Sequence, residues 1–152
     1  MLTKIKNFFI EQLKQGTSPE GIALACAVGA TCAIFPFIGV TTTMCLIACY
    51  LLKLNHAVAQ AVNYGMAAVQ LILIPVFLKL GAWICRAPAV SVNPEKIVHE
   101  FWEAPQAFFI SYGWALLQAM LAWLIVAPVF FFVIYKFTLM SLKTLNKVKR
   151  QA

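Results

Sequence analysis

Gly21 to Leu52 reads GIALACAVGATCAIFPFIGVTTTMCLIACYLL and contains no charged side chain. It is apolar on both sides of Pro36-Phe37-Ile38-Gly39. Pro36 cannot donate a backbone hydrogen bond and Gly39 reaches dihedrals closed to other residues, so the spacing predicts two helical limbs around a break. The limbs run from Pro19 to about Phe35 and from about Thr41 to Leu52. At roughly 1.5 Å per residue, neither limb covers the roughly 30 Å of a hydrocarbon core. The hairpin therefore spans a thinned bilayer, or enters and returns on the same side.

Outward from the hairpin the same texture continues. Asn55 to Leu78 carries only His56 as a titratable group apart from Tyr64, and Ala104 to Tyr135 carries no charge. The whole chain has 152 residues, 62% of them hydrophobic and 11% charged, with a mean hydropathy of +0.85. A soluble domain carries about 25% charged residues, so composition excludes that class. The fold class expected is an all-α integral membrane protein. It comprises an N-terminal amphipathic helix, the broken hairpin, and two long transmembrane helices joined by an interfacial amphipathic helix.

The segments follow from periodicity and caps. Residues 1–16 place Leu2, Ile5, Phe8, Phe9, Ile10 and Leu13 on one side of a helix, opposite Lys4, Asn7, Glu11 and Lys14. That pattern predicts a helix lying on the bilayer surface rather than a secretory signal. Ser18-Pro19-Glu20 opens the core, 19–85, with a side-chain cap, a first-turn proline and an acid at the positive dipole end. Ala57 to Ile84 is expected as one long helix. Asn93-Pro94-Glu95 repeats the capping logic and starts an interfacial helix, 94–104. A transmembrane helix, 105–142, and a basic tail, 143–152, complete a single membrane domain.

Charge sets the topology. The formal net charge is +7, concentrated at Lys4, Lys6 and Lys14 and again at Lys143, Lys147, Lys149 and Arg150. Beside apolar spans these clusters read as cytoplasmic flanks on anionic lipid, not as a nucleic-acid surface. An even number of crossings places both termini and the Lys53–His56 turn in the cytoplasm. The five cysteines, at 26, 32, 45, 49 and 85, lack C-x-x-C spacing and sit in apolar runs, as small packing residues do.

Few residues carry chemistry. Gly21, Ala25 and Gly29, and likewise Ala57, Ala61 and Gly65, recur at four-residue spacing, which lets helix backbones approach closely in lipid. These two stripes are expected to face each other. At the hairpin tip, Pro36, Gly39, Thr41 and Thr42 join a break to a hydroxyl-rich helix start. Such a start contacts a phosphate-bearing headgroup, or the threonines simply cap the helix. Asn55, Asn63 and Gln70 are further substrate or lipid candidates; Asn63 and Gln70 lie seven apart on one helix face. Buried amides in lipid pair with neighbouring helices or with a ligand. Glu95, His99 and Glu103 are spaced four apart and form the weak candidate for a metal, against the plainer reading of a solvated face. The chain has no Asp and no glycine-rich phosphate loop. No catalytic residue and no cofactor are expected.

At Ser18-Pro19-Glu20, Phe35-Pro36-Phe37-Ile38-Gly39 with Thr41-Thr42, Leu54-Asn55 and Asn63, the sequence resembles the bacterial membrane proteins of domain-of-unknown-function 2062. The resemblance covers roughly Ser18 to Gly81. It departs at Asn63-Tyr64, where relatives often have Asn-Pro. It implies the inner membrane of a bacterium, and fusions of such relatives to glycosyltransferases point to cell-envelope lipid or glycan metabolism. Two functions are carried forward: a small transporter or lipid translocator, and a non-catalytic module that positions or stabilises an envelope-biosynthesis enzyme. So few spans hardly enclose a pathway alone, which favours a homo-oligomer.

Overall fold

The computed structural model describes residues 18–88 and 102–151. Among them the regular structure is all helical: α1 (Pro19–Ala33), α2 (Val40–Leu52), α3 (His56–Gly65), α4 (Ala67–Ile84) and α5 (Pro105–Gln151). The N-terminal amphipathic segment and most of the interfacial one, including Glu95 and His99, lie outside the described residues. Among the described residues, two helices are long and apolar enough to cross a membrane, α4 and the part of α5 from Phe108 to Thr144. Only 22% of the most apolar window of each is buried. The core helix of a soluble protein would be mostly buried, whereas these expose their apolar side chains.

Local signals explain the helix ends. Ser18 Oγ accepts from the Gly21 N–H at 3.1 Å, with Pro19 in the first turn, as its sequence demands. Lys53 adopts a left-handed conformation, φ 53°, and closes α2 with its N–H on the Cys49 and Tyr50 carbonyls. Asn55 then caps α3 by accepting from the Val58 N–H at 3.1 Å. Pro75 and Pro128 lie inside α4 and α5 without ending either. The basic tail is no separate element, because α5 continues through it to Gln151.

The expected single helix from Ala57 to Ile84 is two helices. Met66, at φ −94° and ψ 7°, separates them. Packing supplies the reason. α3 lies against α1 and α2, whereas α4 lies against α5, and one straight rod would not serve both. At the first contact a methyl on Gly29 would collide with the Ala59 carbonyl. At the second, a methyl on Gly81 would collide with the Gln118 carbonyl. Both contacts bring backbones together as only the missing side chain of glycine allows.

The predicted stripe on α3 is also corrected. Ala25 and Gly29 of α1 are buried and Gly21 is half-buried, but Ala57, Ala61 and Gly65 are exposed. α3 instead turns Asn55, Ala59 and Asn63 inward, with 7%, 0% and 4% of their surface exposed. These positions are also four apart, two residues round from the expected stripe. The turn places two amides in the helix interface, where neighbouring polar groups are in reach, in place of three alanine-sized groups.

α1 and α5 run antiparallel. Lys143 Nζ meets Glu20 Oε1 at 2.9 Å at one end. Further along, Trp123 Nε1 donates to the Thr31 carbonyl at 3.2 Å. Cys32, Cys45 and Cys49 are buried with Ala25, Val28, Leu54 and Ala59 where α1, α2 and α3 meet, and all three are free thiols. The packing role read for them fits that placement.

Candidate functional site

The break after α1 is held, not loose. Ile34, Phe35 and Pro36 are buried, and α2 starts from Gly39 at φ 91°, a conformation that glycine alone adopts without strain. Gln70 of α4 reaches across and donates from Nε2 to the Phe35 carbonyl at 2.9 Å, in a buried site. That bond satisfies a carbonyl which the broken helix leaves free, as a buried backbone group requires. Phe35 also meets the indole of Trp123 edge-on, with ring centroids 5.0 Å apart. Phe37 stacks on Phe109 at 6.2 Å. Beside Phe35 and the Phe37–Phe109 pair lies an open cavity of about 420 Å³, lined by Phe35, Phe37, Val40, Phe109, Gly113, Leu116, Leu117 and Met120. All eight are apolar, so the cavity accepts hydrocarbon and offers no partner to a charge.

On the other side of the break the site is polar. No side chain caps α2, so the threonines are not the hydroxyl caps that the sequence allows. Thr41 is buried, with 8% exposed. Thr42 Oγ1 donates to Tyr64 Oη at 3.5 Å, the long limit of such a bond. The Thr42 carbonyl accepts from Gln60 Nε2 at 3.1 Å, and Gln60 Oε1 accepts from Asn63 Nδ2 at 3.2 Å.

The structure thus separates the predicted residues. Pro36, Gly39 and Gln70 belong to the break, Thr42 and Asn63 to the polar run beside it, and Asn55 is a helix cap. Glu103 is exposed, and no group of three metal-ligating side chains forms among the described residues. Sequence reading missed Gln60, Tyr64, Trp123 and the Phe37–Phe109 pair. Gln60 lies three residues before Asn63, one turn away, and that spacing was the available signal. Nothing local announces Trp123, which is 92 residues from its acceptor.

A family model described as an uncharacterised protein conserved in bacteria, DUF2062, matches residues 2–151. No curated protein and no solved structure matches the chain. The match extends beyond the hairpin motifs through α5, the helix against which the hairpin packs, and so the chain belongs to the bacterial DUF2062 family.

Proposed function

We propose that this protein is a small multi-pass transporter or lipid translocator of the bacterial inner membrane, acting in cell-envelope metabolism with both termini in the cytoplasm. The observation that carries the reading is the apolar cavity at the hairpin break. It lies between a fixed discontinuity and α5, with hydrogen-bonding side chains at the break and at the start of α2. A lipid needs both environments as its headgroup crosses the apolar interior. Vesicles reconstituted with the protein should move labelled lipid between leaflets faster than empty vesicles. Equal rates across several headgroups would remove the reading. Gly113 lines the cavity, and a Cβ there meets nothing within 4 Å. Gly113→Leu should therefore lower the rate several-fold without lowering the thermal midpoint.

A second reading is a non-catalytic module that positions an envelope-biosynthesis enzyme. It is favoured by the outer face of α4, where Leu71, Ile72, Val76 and Trp83 are exposed. Extraction in mild detergent should then recover a consistent enzyme partner. A chain that purifies alone would disfavour it. A second copy covering the same face would appear as a dimer.

A further inference from the structure

The polar run beside the break has a direction. The Thr42 carbonyl only accepts, so the Gln60 amide presents its nitrogen to it, at 3.1 Å. The Gln60 oxygen must then accept, and it does so from Asn63 Nδ2 at 3.2 Å. This leaves Asn63 Oδ1 as the inner end of the run, and no flip of either amide relieves it without losing a bond. Asn63 is 4% exposed, and its Oδ1 has no hydrogen-bond partner among the described residues. The outer end lies at the surface: Tyr64 is 62% exposed, and its 3.5 Å contact with Thr42 Oγ1 is weak enough to open. Between Gly21 and Ile84 the chain contains no carboxylate, and every group of this run is neutral.

We propose that this run, from Tyr64 and Thr42 through Gln60 to Asn63, binds lipid headgroups that carry N–H or O–H donors. This deepens the lipid-handling reading of the hairpin and rests on it. A primary ammonium or a hydroxyl donates to Asn63 Oδ1, whereas a quaternary ammonium has no hydrogen to give. Selection thus falls on donor capacity rather than charge. The Tyr64 and Thr42 hydroxyls part to admit the headgroup, and the chain stays outside in hydrocarbon.

The test is binding, not flux. The full-length protein in detergent is titrated with dihexanoyl phosphatidylethanolamine and with dihexanoyl phosphatidylcholine, zwitterions that differ in their ammonium hydrogens. Occupancy is read from the rise in thermal midpoint. The wild type should bind the ethanolamine lipid roughly five- to tenfold more tightly, the discrimination of one hydrogen bond. Asn63→Leu should abolish that preference. Should that variant fail to fold, Tyr64→Phe, at an exposed position, should narrow the preference. Equal affinities in the wild type would overturn the proposal, as would a preference unchanged in both variants. Vesicles without flux would remove translocation and leave this binding difference standing, so the two failures are distinguishable.

Discussion

Gly29 and Gly65 look alike in the sequence, each part of a small-residue stripe, yet the structure assigns them opposite roles. A methyl on Gly29 meets the Ala59 backbone, which cannot swing aside, whereas one on Gly65 meets nothing within 4 Å. Gly29→Ala should therefore cost roughly 1–3 kcal/mol. Gly65→Ala should be neutral or gain roughly 0.5–1 kcal/mol from helix propensity. Thermal midpoints in one detergent compare the pair directly. Gln70 makes a third residue-scale case. Gln70→Leu keeps the volume but strands the buried Phe35 carbonyl, which should cost roughly 1–3 kcal/mol. A midpoint equal to wild type would mean that another donor reaches that carbonyl.

Among the elements, α1 is tied to α5 at two levels, by an ion pair near its start and by Trp123 near its end. The Lys143 ammonium, hydrogen-bonded to Glu20, holds that carboxyl below its ordinary range, helped by its own backbone N–H. A depressed carboxyl pKa contributes stability above the ordinary carboxylate range and loses it as pH falls through the lowered value. Both side chains are exposed, so solvent and salt screen the pair and the effect is small. Glu20→Gln should lower the midpoint slightly at neutral pH and low salt, and the difference should vanish in acid or at high salt. Elements also show where periodicity fails. Ala57 to Ile84 is apolar enough for one helix, and no proline lies near Met66 to announce a break. α3 and α4 separate because their partners differ, a fact about neighbours that no local window contains.

For the whole molecule, the question is how far the hairpin reaches. The candidate span of α5 starts at Phe108, and its contacts with the break lie at Phe109 and between Gly113 and Trp123. Ile38 at the tip is 61% exposed, which makes it a suitable reporter. A single cysteine at Ile38, in a chain without native cysteines, should be protected from an impermeant maleimide added outside the cell if the hairpin re-enters. Labelling from that side would mean that both limbs span.

The hairpin break, the capped start at Ser18, the two apolar spans and the family were legible in the residues. Each depends on backbone chemistry or on runs of hydropathy, which are local. Tertiary structure decided the rest: the rotation of α3 that buries Asn55, Ala59 and Asn63 in place of Ala57, Ala61 and Gly65, the bend at Met66, and the cavity between Phe35 and Phe109. In a chain so uniformly apolar, hydrophobic pattern does not distinguish one helix face from another. Close backbone contacts and the pairing of a few buried amides choose the faces instead, and both need residues distant in sequence to meet.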